Sequence, residues 1–302
     1  MNKWVSAFGW VLFLLIIALI LSALFVNSGN SISDNSIAIV PLYGVITSQV
    51  GSPTFLNPST GISSTYIIKK IDELNKDENV KGIIFEIDSP GGEVVASQEI
   101  ADAVKKLNKP NYAVIRSTGA SGGYWIASAT DKIFASPMSI TGSIGVIGSY
   151  LEFSGLMEKY GIDYERFVTG KYKDMGSPFK DVPEDERNLL QNKMNKIHDY
   201  FVEQVSINRN LELSKVNKLA TGEFYLGSEA KELQLIDEFG NREVAVEFMK
   251  KELNLEDANV IEIQREVSLF ELIGGFGAYH FGKGFANELI KFELENKFKI
   301  NV

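Results

Sequence analysis

The sequence predicts an α/β fold, a parallel sheet covered by helices. Two strand, glycine-turn, helix units follow one another between residues 82 and 129. The strands in both are largely apolar, and apolar residues at helical spacing take over after each turn. Both turns fall at strand C-terminal ends, where open α/β folds place their sites.

From the N-terminus, Val5 to Val26 carries no charge, and Trp10 to Leu21 is almost entirely large and apolar. Twenty-two residues at about 1.5 Å each reach roughly 33 Å, the length of a membrane-spanning helix. Bulky Leu24 and Phe25 stand where a signal-peptidase site wants small residues, so the segment reads as an uncleaved anchor. Lys3 is the only basic residue before Lys69, which keeps the N-terminus cytoplasmic and sends the rest outward. The domain plan is an anchor and linker over 1–30, a main domain over 31–265, and a C-terminal tail over 266–302 without an assigned role.

Asn27 to Asp34 is a polar linker. Ile37 to Ile46 predicts a strand interrupted near Pro41, and Ser52 to Ser64 an exposed loop. Ile67, Ile68, Ile71 and Leu74 mark a helix. Gly82–Asp88 is the next strand, ending at Gly91-Gly92; Val94, Val95, Ile100, Val104 and Leu107 mark the helix after it. Tyr112–Arg116 is a strand that leads into Gly119-Ala120-Ser121-Gly122-Gly123, with Tyr124–Ala129 helical. Lys132–Ala135 and Ile144–Ile147 are short strand candidates. Pro183–Val205 is a helix with a stripe of Leu190, Met194, Ile197, Phe201 and Val205, opened by an acidic first turn. Residues 221–240 read as strand, helix, strand.

Composition narrows the chemistry. The chain has 302 residues and a net charge of −9, the wrong sign for a nucleic-acid-binding surface. With no cysteine there are no disulfides, thiolate metal sites or cysteine nucleophiles. Two isolated histidines, His198 and His280, and no HExxH run give no metal site. His198 lies beside the helix stripe and reads as a solvated residue.

What remains is a serine activated by a lysine. Ser121 sits at a strand-to-helix turn that points a hydroxyl outward, with Gly122 allowing close approach of a substrate backbone. Gly91-Gly92, one unit earlier, offers backbone N–H groups to an oxyanion. A lysine base must lose its proton near neutral pH, which requires partial burial or a cationic neighbour. Lys173, with Tyr172, Met175 and Phe179 as apolar cover, is one candidate, and Lys171 and Lys180 compete with it; spacing does not choose among them. Asp174 would oppose the role if it paired with Lys173, so it is expected to point elsewhere. Ser143, in Thr141-Gly142-Ser143-Ile144-Gly145, is a second serine able to orient an amine.

Taken together, Asp88-Ser89-Pro90-Gly91-Gly92, Ala120-Ser121-Gly122-Gly123-Tyr124-Trp125, Thr141-Gly142-Ser143-Ile144-Gly145-Val146, Tyr172-Lys173-Asp174 and Ser177-Pro178-Phe179 resemble the signal peptide peptidase A family in its half-length form. The resemblance runs from about Ile37 to Phe248. It implies a crotonase-like (Clp protease-like) fold of repeated β-β-α spirals, preceded here by one N-terminal transmembrane helix. It implies a single-pass cell-membrane protein with its catalytic domain outside the cytoplasm, cleaving remnant signal peptides after secretion. Carried over, Ser121 is the nucleophile, Lys173 the general base, Ser143 the serine that hydrogen-bonds the lysine, and Gly92 and Gly122 the oxyanion donors. It implies no metal or other cofactor and no nucleic-acid partner. Its homo-oligomeric rings take serine and lysine from neighbouring subunits.

Three other readings start from the same residues. A crotonase-fold acyl-thioester enzyme shares the paired oxyanion donors but needs neither Ser121, Lys173 nor an anchor. A non-catalytic membrane-anchored ring scaffold would have no use for the serine and lysine. A related protease of membrane proteins would differ only in the shape of its pocket.

Overall fold

In a computed structural model of the chain, the residues described are 9–10, 12–18, 35–49 and 61–263. Their centre is an eight-stranded sheet. Strand β1 (Ser36–Tyr43) leads to a small parallel pair, β2 (Ile46–Thr47) with β3 (Ile62–Ser63), and then to helix α1 (Ser64–Lys76). Strand β4 (Val80–Ser89) and helix α2 (Val94–Lys105) form the first predicted unit; β5 (Asn111–Ala120) and α3 (Gly122–Ser128) form the second. There follow β6 (Lys132–Ala135), β7 (Ile140–Gly142), α4 (Ser154–Lys159), the long α5 (Glu184–Arg209), α6 (Leu213–Leu219), β8 (Phe224–Leu226), α7 (Gly227–Glu232), β9 (Glu238–Phe239), α8 (Arg242–Glu252) and β10 (Asn259–Glu262). The sheet order is β10-β1-β4-β5-β6-β9, all parallel. β7 continues from the end of β5, and β8 pairs with it antiparallel.

Alternate residues of the central strands feed two apolar layers, as a period of two requires. Ile83, Phe85, Ile87, Ala113 and Ile115 face α1, α2, α3 and the C-terminal half of α5. Ile37, Ile39, Ile84, Tyr112, Val114 and Phe134 face α8 through Ala245, Val246 and Met249. Gly82 lets α8 sit close, since a Cβ there would stand 2.3 Å from the Met249 sulfur. The mixed α/β prediction and most of its elements agree with this arrangement.

Several expectations need correction. β1 runs through Pro41 without a break. Ile263 N donates to Ile39 O, and the next N–H on that side of β1 would be residue 41's. Proline lacks only the donor that would extend pairing towards β10, where the partner strand has ended. Ile144–Ile147 is not a strand; the strand is Ile140–Gly142, and positive φ at Gly142 (73°) and Ser143 (50°) turns the chain out of the sheet. The α5 stripe is buried only at Phe201 and Val205, while Leu190, Met194 and Ile197 are half-exposed.

Among the described residues no helix is long and apolar enough to cross a membrane. Gly9, Trp10 and residues 12–18 are helical with mostly exposed side chains, and the rest of the expected Val5–Val26 span lies outside the described residues. So do the expected tail, 266–302, and most of the expected loop at Ser52–Ser64, of which Ile62–Ser63 is strand and Ser64 opens α1.

Candidate active site

The turn at Ser121 is built from both neighbouring strands. β4 and β5 keep register to Ile87–Ile115 and resume at Ser89–Gly119, so two extra residues of β5 are accommodated as a bulge. Asp88 holds that bulge: its Oδ1 accepts the Thr118 N–H at 3.1 Å, a role the sequence reading, which saw only a strand end, did not assign. Beyond Ala120 the backbone turns sharply at Ser121, φ 52° and ψ −122°. Side chains rarely adopt this conformation, which costs on the order of 1–3 kcal/mol and is held only where the surroundings enforce it. Here Ser121 N donates to Gly142 O at 2.8 Å and Ser121 O accepts from Trp125 N at 2.9 Å. Its Oγ makes no capping bond to the helix that follows.

The glycine pair lies against this turn. A Cβ on Gly91, whose φ is 101°, would stand 2.8 Å from Gly122 N and 2.9 Å from Ser121 Cβ. Gly91 N donates to the buried Ser89 Oγ at 3.1 Å. Gly92 is glycine for a different reason: β2 crosses it, and a Cβ would fall 2.0 Å from Ile46 O. A Cβ on Gly122 would sit 2.2 Å from Ser97 Oγ and 3.4 Å from Gly92 N. Among the described residues, neither the Gly92 nor the Gly122 N–H donates to another protein group. Two free amide donors therefore flank one serine.

A cavity of about 90 Å³ opens beside these groups, with Val94, Trp125, Val146, Ile147, Ile197 and Phe201 as apolar walls. Trp125 stacks on Phe201 with centroids 4.6 Å apart and planes 12° from parallel, so α5 closes the side of the pocket above α3. Ser97, whose Oγ donates to Glu93 O at 2.8 Å, also lines it. Sequence reasoning missed Ser97, because nothing in α2's pattern sets it apart. It saw Ile197 and Phe201 only as a helix stripe.

Larger hollows lie elsewhere. One of about 700 Å³ runs between α1 and α2. Another, of about 520 Å³, lies over the other face of the sheet beside Glu86, Arg116 and Arg242. In the latter the Arg242 guanidinium grips Glu86 and also meets Glu262 at 2.8 Å, while Tyr43 donates to Glu86. Burial pushes the Glu86 carboxyl up, but its bonds to Arg242 and Tyr43 outweigh that and hold it below the ordinary range. These charges are spent on each other. Among the described residues no group of three or more His, Asp or Glu side chains is arranged to hold a metal.

Ser143 follows the Gly142 carbonyl that receives Ser121 N. Its φ is 50°, and its Oγ donates to Gly222 O at 3.3 Å, so its partner within one chain is a carbonyl and not a lysine. Lys173 is exposed, on a turn closed by Lys173 N donating to Gly170 O at 3.1 Å, and is not among the cavity's lining residues. The partial burial expected for it is absent in the single chain. Among the described residues its amine has no hydrogen bond or ion pair.

Its two rivals are engaged. Lys171 pairs with Asp185 at 2.6 Å and lies over the Tyr172 ring, and the Asp185 bond raises its pKa. Lys180 pairs with Glu186 at 2.7 Å and Asp174 at 3.1 Å; the Glu186 bond raises its pKa despite burial. Asp174 does point away from Lys173, towards Lys180 and Arg166. His198 is half-buried and bonded to Ala220 O at 2.9 Å, not freely solvated.

Comparison with known proteins agrees with this geometry. The model of peptidase family S49 matches residues 103–256, and that of Clp protease residues 55–141. A Methanocaldococcus jannaschii protein bearing a protease name is 36% identical over 243 residues, 79% of this chain and 78% of its own length. An Enterococcus faecium protein named for signal peptide peptidase SppA is 42% identical over 206 residues, covering 67% of this chain and 59% of its own. Protease 4 of Haemophilus influenzae is 34% identical over 215 residues, 70% of this chain but 34% of its own. An α/β domain with a strained serine between free backbone donors, matched by these sequences, belongs to peptidase family S49, the family of signal peptide peptidase A.

Proposed function

We propose that the chain is a serine endopeptidase in which Ser121 is the nucleophile and Lys173 the general base. The observation that carries this reading is the Ser121 turn, held at an unfavourable backbone angle between the unused Gly92 and Gly122 amides. A neutral Lys173 amine takes the Ser121 proton as Oγ bonds to the peptide carbonyl carbon. The carbonyl oxygen becomes an oxyanion against the Gly92 and Gly122 N–H groups. Protonated Lys173 then gives its proton to the leaving amine, and an ester on Ser121 remains. Water, deprotonated by Lys173, attacks the ester and releases the second product. Ser143 hydrogen-bonds the lysine amine in the assembled enzyme.

Serine and lysine are supplied by neighbouring copies in a ring. Lys173 stands exposed and unpaired outside the cavity of its own chain. The stretch that bears it leaves Ile147, Leu151 and Phe167 89%, 73% and 93% exposed, and α4 within it buries no residue. Apolar surface of this extent calls for a partner. A second copy would cover it and supply the burial that a lysine base needs.

The substrate is an extended apolar peptide, the remnant signal peptides of secretion. The apolar pocket walls and the name of the Enterococcus relative support this. The uncharged run Val5–Val26 anchors the enzyme with its catalytic domain outside the cytoplasm. The test uses full-length protein in detergent and an apolar peptide substrate. Ser121→Ala and Lys173→Ala each abolish cleavage, and a peptidyl phosphonate labels Ser121 of the parent. Full activity in either variant, or a label on another residue, would refute the assignment.

A further inference from the structure

We propose that Lys180 is a positioning residue for Lys173: it holds Asp174 away from the neighbouring lysine amine and ties the turn that carries the base to helix α5. The inference rests on the reading of Lys173 as general base.

Asp174 directly follows Lys173, and an unpaired ammonium would be its natural partner. A carboxylate within about 4–6 Å favours a lysine's charged form by about one to three pH units, which is wrong for a base. Asp174 is not free to do this. Its Oδ1 accepts from Lys180 Nζ at 3.1 Å, and its Oδ2 faces Arg166 at 2.7 Å. Burial works to raise its pKa, but Lys180 and Arg166 more than offset that and keep it ionised. The other charges on the segment are spent too: Lys171 and Tyr172 on Asp185, and Asp181 on Ser154.

The same lysine reaches Glu186 at 2.7 Å. The side chains of Lys180, Asp174 and Glu186 are 16%, 12% and 5% exposed, in a segment otherwise open to solvent. An ion-pair chain this enclosed fixes geometry in a way that surface pairs do not. Glu186 lies in the first turn of α5. About three and four turns further along the same helix, Ile197 and Phe201 wall the Ser121 cavity. The base-bearing turn and the pocket wall therefore belong to one connected unit, with Lys180 as the joint.

The experiment compares kcat/KM against pH for full-length parent, Lys180→Ala, Lys180→Arg, the double variant Lys180→Ala/Asp174→Asn, and Lys173→Ala. Lys180→Ala should lose about tenfold or more at pH 7, with its acidic limb moved up by about one pH unit or more and activity recovering at alkaline pH. Lys180→Arg should keep the parent limb. Removing the Asp174 charge should make Lys180 dispensable, so the double variant returns to within about threefold of the parent. If Lys180→Ala does not assemble, Lys180→Met, which preserves the packed stem, replaces it in both variants. An unmoved limb, or a double variant no better than the single, would overturn the inference. If Lys173→Ala is as active as the parent, the base assignment itself fails and takes the inference with it. If Lys173→Ala is inactive while Lys180→Ala leaves the limb in place, only the role of Lys180 is lost.

Discussion

Gly122 faces Gly92 so closely that a Cβ on the former would stand 3.4 Å from the amide nitrogen of the latter and 2.2 Å from Ser97 Oγ. The gap between them is filled by backbone donors alone. Gly122→Ala should therefore lose about a hundredfold or more in kcat, the scale of removing one oxyanion donor. The loss should appear with little change in far-UV circular dichroism, since the added methyl meets a side-chain hydroxyl and not the sheet.

Gly92→Ala is a different case. Its Cβ would fall 2.0 Å from Ile46 O and 2.6 Å from Ile46 N, so β2 must move as well. This variant should lose both activity and several degrees of melting temperature, and thermal unfolding separates it from Gly122→Ala.

The Trp125–Phe201 stack joins the helix after the nucleophile to α5. Phe201 is 2% exposed, so Phe201→Ala should cost about 3–5 kcal/mol of stability by cavity formation. It should also widen the pocket enough to change substrate preference towards larger side chains. Chemical denaturation and a peptide library read the two effects.

Acid stability should depend on Glu86. Its folded-state pKa lies below the ordinary value, so its pairing stabilises the fold above the unfolded pKa of about 4.3 and is lost as pH falls through the lower folded value. Glu86→Gln should flatten the fall in melting temperature below that pH. Arg242→Ala leaves a buried carboxylate without its cation, and should cost about 3–5 kcal/mol at pH 7.

The layered sheet was legible because alternation and helical spacing report burial directly, and the Ser121 and Gly91-Gly92 turns because small residues at strand ends have few other uses. What the sequence did not reveal depends on partners distant along the chain. Gly142 and Ser143 end a strand that apolar content alone would continue through Ile147. Ser97 looks like any helix serine until Gly122 is set against it. Lys171, Lys173 and Lys180 are equivalent by spacing; Asp185 and Glu186, from the acidic first turn of α5, engage the outer two and leave the middle one unpaired. The burial expected of Lys173 is absent because no residue of its own chain covers it.

Phe167 is 93% exposed on the segment that carries Lys173. If that surface is covered by a second copy, Phe167→Asp should dissociate the assembly and abolish cleavage together. Sedimentation in detergent and peptide hydrolysis on the same sample should move in step.

The central claim is that Ser121 of one copy works with Lys173 of another. Full-length Ser121→Ala and Lys173→Ala, each inactive alone, should be co-expressed and purified as mixed assemblies. Random mixing leaves about one site in four with both groups intact, so about a quarter of parental activity should return. Mixed assemblies that stay inactive while the parent cleaves would contradict the shared site.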